Sequence, residues 1–375
     1  YRAVSSPRVG VSRWVTHFSA RLDRRELEAV LTDSFRRAAT ARDRYALREV
    51  VFQIFAAIGE GTAQAHFDDD VVLPYALPLS WTWLDGQLVV TSVDERTPDL
   101  HPGDVVLAID GRASATVLAE WRALSWGVTE ARRMMIAASL ARRGSGTAID
   151  LQVRRPDGSE ERIEARFARN STAPFDSGPD AIAELDRGLL YVPLGKLTAD
   201  QLRAASDRLA SARGVIFSVS GVKPDVMSLF RVTLGDVGAP ELRQVLWPEG
   251  QPNPLTTRIT PPADGEPLRL PPRVAVLVDP NTQGDGEALA DALRHRAGAL
   301  LVGQPTVGAP DMPVRQTLPG GLQVFVSETP YRYTSGHPSF APLQPDIIVP
   351  RTRAAITAGR DESLEHAAAA LSRAP

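Results

Sequence analysis

Apolar residues in the N-terminal part of this chain recur at helical spacing. Leu27, Val30 and Leu31 form one stripe behind Asp23, a helix-capping residue. Leu47, Val50, Val51, Ile54 and Phe55 form a second, which stops at Gly59-Glu60-Gly61. The period then shortens. Leu88-Val89-Val90 and Val105-Val106-Leu107-Ala108-Ile109 read as strands, with turn dipeptides at Asp85-Gly86 and Asp110-Gly111. Helices are predicted across Ala113 to Trp121 and Glu130 to Ala141. Ile149 to Val153 and Arg162 to Phe167 alternate around Pro156-Asp157-Gly158, as the arms of a hairpin do.

Beyond a polar linker at 170–179, strands and helices take turns. Leu189 to Val192 is a predicted strand, Ala199 to Ala212 a helix and Val215 to Val219 a strand. Trp247 to Pro272 carries many prolines and predicts no regular structure. Val274 to Val278 is a continuous apolar run, the mark of a strand buried on both faces. Asp279 to Gly286 is dense in turn formers. Glu287 opens a helix with Leu289 and Leu293 on one face, and Leu300-Leu301-Val302 resumes a strand. Gly321 to Val326, Ile347 to Val349 and a helix from Asp361 to Leu371 complete the chain. The expected fold is multidomain, α/β and α+β, with a mostly parallel sheet in its last part. The expected boundaries are an N-terminal helical segment at 1–72, a small mixed domain at 79–169 and an α/β domain at 180–375.

A net charge of -3 over 375 residues leaves no electrostatic footprint for nucleic acid or an anionic membrane. No apolar run approaches the roughly 18 residues needed to span a bilayer. The absence of cysteine removes disulfides, thiol catalysis and thiolate metal sites. The basic residues are nearly all arginine. Lys196 and Lys223 are the only lysines, which matters because lysine can act as a general base and arginine cannot.

A sharp strand-to-helix turn is where many hydrolases hold a nucleophile, with helix N-terminal amides aimed at an oxyanion. Gly284 stands at the tip of such a turn and offers no side chain. The residue also suits a tight turn that needs positive φ.

Two stretches carry a family resemblance. Leu100-His101-Pro102-Gly103-Asp104-Val105-Val106-Leu107-Ala108-Ile109-Asp110-Gly111 resembles the PDZ pattern of bacterial proteases. That resemblance implies a domain that adds an extended peptide to a sheet edge, with Leu100, Gly103 and Asp104 at the peptide site. The last third resembles the tail-specific (carboxyl-terminal processing) serine protease family, to which the tricorn core and retinoid-binding modules also belong. Val274 to Glu287, Val302-Gly303-Gln304-Pro305-Thr306-Val307-Gly308, Leu318 to Leu322 and Pro345 to Val349 with Gly359 to Glu365 carry it in order.

The resemblance implies a serine attacking a peptide carbonyl, a lysine or histidine taking its proton, and backbone amides holding the oxyanion. Gly284 occupies the nucleophile position, and the amides of Gly221 and Asp285 are the candidate oxyanion donors. The lysine expected after the GxxTxG turn is replaced by Ala309. The histidine of an LxDGH-like motif is replaced by Thr62, which leaves His66, four residues on, as the candidate base. Ser218 and Ser220 stand where relatives carry a charged pair.

Asp68-Asp69-Asp70 reads as a solvated acidic loop, and neither metal nor cofactor is expected. His17, His101, His295 and His366 lack paired ligands, and His337 lies just before the C-terminal strand, where the resemblance to tricorn implies a supporting acid that Ser339 does not supply. Trp81, Trp83, Trp121 and Trp126 read as core or groove lining.

The expected function is that of a serine endopeptidase homologue that binds extended or C-terminal peptides and is weak or inactive for want of a nucleophile. Two alternatives remain. One is an active peptidase represented by a Ser-to-Gly change at 284. The other is a small-ligand-binding module on the same fold. Partners are peptide or protein C-termini, and the resemblance implies export, with a leader removed or not included.

Overall fold

The computed structural model describes residues 24–59, 63–67, 76–127, 129–141, 148–168, 178–235, 241–245, 254–258, 265–308, 313–318, 320–327, 333–336 and 341–373. Expectations resting on Asp23, Thr62, Asp68 to Asp70, Ala309, His17 and His337 lie outside these residues.

The first half of the chain forms α1 (Arg24–Ala39), α2 (Arg44–Ile58), β1 (Gln64–Phe67), β2 (Leu79–Leu84), β3 (Gln87–Val93), β4 (Val105–Ile109) and β5 (Arg112–Ala113). It continues with α3 (Ser114–Ala123), α4 (Glu130–Ala141), β6 (Ala148–Arg154) and β7 (Glu160–Arg166). Next come β8 (Ala183–Leu185), β9 (Leu189–Pro193), α5 (Ala199–Ala204), α6 (Ser206–Ser211), β10 (Gly214–Ser218) and α7 (Pro224–Leu234). Then follow β11 (Glu241–Val245), β12 (Pro254–Arg258), β13 (Val274–Val278), α8 (Asp285–Ala297) and β14 (Leu300–Gly303). The last elements are β15 (Pro313–Leu318), β16 (Leu322–Ser327), β17 (Ile347–Ile348), α9 (Arg353–Thr357) and α10 (Glu362–Arg373).

Two larger sheets dominate. The C-terminal one has strand order β17-β14-β13-β10-β9-β8, parallel throughout except for β8. Its strands are apolar on both faces because both are covered. Val215, Phe217, Val274 and Val276 pack with Leu289 and Leu293 of α8, while Ile216, Ala275 and Val302 pack with Ala367 and Leu371 of α10. The other sheet runs β2-β3-β4-β6-β7, antiparallel, with β5 paired to β4. Its DG turns adopt positive φ at Asp85, Gly86, Asp110 and Gly111, the backbone twist that two-residue hairpins require.

Three expectations need correction. The helix expected at 199–212 is two short helices meeting at Ala205, the first opened by a Thr198–Gln201 capping box. The proline-rich insert contains β12, which pairs with β11. The N-terminal segment is not purely helical. β1 pairs antiparallel with β16, so Phe52, Phe55, Phe67, Leu322 and Val324 share one core with Trp126.

Candidate functional site

The site grows from the end of β13. Asp279 Oδ1 accepts the Asn281 amide at 2.9 Å and the Thr282 hydroxyl at 3.0 Å, and the Asp279 amide donates back to Thr282 Oγ1 at 3.0 Å. This local knot turns the chain sharply. Thr282 is buried with its hydroxyl committed, so it is a structural residue of the turn. Gly284 follows at φ 56 and ψ -130 and forms the N-cap of α8. That backbone conformation strongly favours glycine. A Cβ built there meets nothing within 4 Å, so the position opens onto free space at a helix N-terminus.

Neighbouring strand ends close around the turn. Gly286 lies so near β10's exit that an added Cβ would stand 2.8 Å from Val219 O. Ser218, Ser220 and Gly221 are thereby set beside the start of α8. Gly221 is left-handed at φ 64, again with open space around it. On the other flank, the Val307 amide donates to Thr282 O at 3.0 Å.

Two acids of α8 fix the surrounding loops. Fully buried Glu287 accepts the Thr306 hydroxyl and, at 2.7 Å, the Gly308 amide. One turn on, Asp291 accepts the amide of Ser335 at 3.0 Å and its hydroxyl at 2.5 Å. Asp285 begins the helix. Burial pushes its carboxyl pKa above the ordinary value, and the positive charge of Arg231 opposes that rise.

A cavity of about 390 Å³ lies between this sheet edge and the middle part of the chain. Trp81, Trp83, Met134 and Met135 of β2 and α4 form one wall. The opposite wall includes Ser218, Ser220 and residues 277–282. Gln304, Arg351 and residues 360–363 close it. β2 is the edge strand of its sheet, and Trp81 is held by a 2.7 Å bond from its indole nitrogen to Ala138 O in α4. Arg132 of α4 crosses to the turn, donating to Gln283 Oε1 at 2.9 Å and to Pro280 O at 3.5 Å.

The structure brings Gly284, Asp285 and the strand end at Gly221 together. None of the three lines the cavity, which reaches this end of the sheet through Ser218, Ser220 and residues 277–282, and the other named residues are absent from its lining too. His66 sits in β1 opposite Gln323, its ring stacked on Phe325 with centroids 5.0 Å apart, and does not line the cavity. Leu100, Gly103 and Asp104 form the buried turn into β4. Asp104 Oδ2 accepts from the His101 amide at 2.8 Å and Arg155 Nη1 at 2.5 Å. Gly103 O accepts from Arg353 Nε at 2.8 Å, and Gly103 packs on Thr357. These three residues bind the rest of the protein and are absent from the cavity lining. Sequence reasoning missed Arg132, Met134, Met135 and Arg351, which no local motif marks. Among the described residues no cluster of three His, Cys, Asp or Glu could hold a metal, and no helix is long and apolar enough to cross a membrane.

Residues 242–349 match the family model for peptidase family S41. A search of curated proteins returns no match. Among solved structures, mature CPAF complexed with lactacystin matches with a TM-score of 0.65 and 13% identity, covering 92% of this chain and 91% of the CPAF chain. A crystal structure of mature CPAF matches at 0.62 and 14% identity, covering 87% of this chain and 86% of that one. The photosystem II D1 C-terminal processing protease aligns at 0.45 and 14% identity, over 86% of this chain and 93% of that one. At these identities the CPAF likeness establishes the fold.

Proposed function

We propose, from a chain of the tail-specific protease family that carries the S41 match in its C-terminal domain, that this protein binds extended peptides without cleaving them through an acyl-enzyme. One observation carries the reading. At position 284, where the family's nucleophile is expected, there is no side chain, although a side chain would have open space. Acyl transfer needs a nucleophile and a base within hydrogen-bond reach of each other. Thr282, the nearest hydroxyl along the turn, is buried and donates to Asp279.

Peptide binding is supported by the cavity itself. An edge strand, two tryptophans and two methionines face a polar sheet edge across a space of ligand-pocket size. An extended peptide would add to β2 and lay its side chains against Trp81, Trp83 and Met134. In this reading the middle sheet is a PDZ-like unit, and the protein is exported as its family resemblance implies. The domain limits at 79–169 and 180–375 belong to the same proposal.

A second reading is favoured by the free space around Gly284: the scaffold would accept a serine there. Intact-mass analysis after exposure to a fluorophosphonate separates the two. The unaltered chain is expected to gain no adduct. If Gly284→Ser gains one adduct and hydrolyses peptides in a His66-dependent manner, the scaffold is a working peptidase lacking one side chain. If it gains neither, the catalytic set has dispersed.

A further inference from the structure

We infer that Met134 and Met135 form an oxidation site, at which a peroxide converts the thioethers to sulfoxides and weakens the cavity's hold on apolar side chains. The ligand half of this inference rests on the peptide-binding reading above. The chain has four methionines and no cysteine, so thioethers are the only sulfur it offers to an oxidant. Two of the four stand side by side in α4. With Glu130 and Ala131 they make the spacing i, i+1, i+4, i+5, one face across two helical turns, and all four residues line the cavity. Helical side chains lean toward the N-terminus, so Met135 reaches over the turn that carries Ala131, whose methyl group is too small to cover a sulfur. Both methionines are half-buried. Met227 of α7 is fully buried in the core on the α8 face of the parallel sheet, and Met312 lies outside the described residues.

The surroundings suit a thioether and not a sulfoxide. The indole nitrogen of Trp81 donates to Ala138 O at 2.7 Å, and Ala138 is four residues after Met134 on the same face of α4. Met134 packs with Trp83 against the core cluster that contains Trp81. A polarisable sulfur is favourable against such aromatic neighbours. A sulfoxide oxygen needs a hydrogen-bond donor, and the Trp81 donor is already committed to Ala138 O. Oxidation therefore puts a polar, poorly satisfied group into the wall that faces the ligand.

The step balances without any redox group of the protein. A sulfur lone pair attacks one oxygen of hydrogen peroxide, the S–O bond forms as the O–O bond breaks, and the departing hydroxide leaves as water after proton transfer. Sulfur gives up two electrons and the peroxide takes them.

The test treats the full chain with hydrogen peroxide, follows each methionine by site-resolved mass spectrometry, and measures retention of a randomised pool of free-acid pentapeptides before and after. Met134 and Met135 are expected to oxidise at least about tenfold faster than Met227, and retention of apolar-rich peptides to fall at least about tenfold once they have reacted. A Met134→Leu, Met135→Leu double variant, compared with its own untreated sample, is expected to show no peroxide effect on retention. Oxidation of Met227 as fast as the pair would overturn the site. Retention unchanged after the pair is oxidised, or a peroxide effect that persists in the double variant, would overturn its coupling to the ligand and leave peptide binding standing. An untreated chain that retains no peptide would overturn the peptide-binding reading and the weakened hold that rests on it, while the relative oxidation rates still decide the site.

Discussion

The buried carboxylate of Glu287 accepts the hydroxyl of Thr306, nineteen residues along the chain, and thereby ties the helix behind Gly284 to the turn after β14. The same oxygen takes the Gly308 amide at 2.7 Å, while Thr306 Oγ1 receives the Leu343 amide at 2.9 Å. Such a network is costly to break because each partner left behind is buried and polar. Glu287→Ala is expected to cost about 2–4 kcal/mol and Thr306→Val about 1–3 kcal/mol. A double-mutant cycle by chemical denaturation should find the two losses strongly non-additive. Simple additivity would mean that the two groups do not act together.

Glycines of this site differ in what they tolerate. At Gly284 a side chain meets nothing, so Gly284→Ser pays only for its positive φ, about 1–3 kcal/mol. At Gly303 an added Cβ would stand 2.1 Å from Val278 O, with φ at 131, so backbone must move. Thermal unfolding should therefore place Gly303→Ala well below Gly284→Ser. The reverse order would contradict the geometry of the turn.

Burial raises the pKa of Asp285 above 3.8, with Arg231 opposing the shift. The folded state then holds its proton more tightly than the unfolded one. Stability from this group is fully present below the unfolded pKa and falls as pH rises through the folded value. Asp285→Asn is expected to stabilise the protein at neutral pH and to lose that advantage as pH falls through the raised folded value, so that none is left at about pH 4, the unfolded value. Denaturation midpoints across pH measure this, and an advantage independent of pH would refute the assignment.

The turn at Gly103 binds the last part of the chain. Arg353 Nε donates to Gly103 O at 2.8 Å, and Ile356 is buried with Val89 and Val105. Arg353→Ala should speed amide hydrogen exchange across 100–106 and leave exchange in β10 and β13 unchanged. Unchanged exchange at 100–106 would show that this bond does not hold the junction.

Much of the fold could be read from local pattern. Val274 to Val278 is legible because both faces of its strand are covered, and Asp85-Gly86 because its turn needs positive φ. β1 could not be read, since its four residues depend on pairing with β16, more than 250 positions later. The GD motif at Gly103-Asp104 announced a turn. Its role was hidden because Arg155 and Arg353, which occupy its polar atoms, come from remote sequence. The turn at Gly284 was visible, while the cavity beside it is assembled from residues scattered between Trp81 and Ser363.

The central claim concerns what the unaltered chain does to a bound peptide. Incubation with a randomised pool of free-acid pentapeptides, followed by mass spectrometry of the products over time, measures it directly. The account predicts peptides retained on the protein and recovered whole, with no serine-inhibitor-sensitive product. Turnover that a fluorophosphonate abolishes would place a working nucleophile elsewhere in the chain and contradict the account.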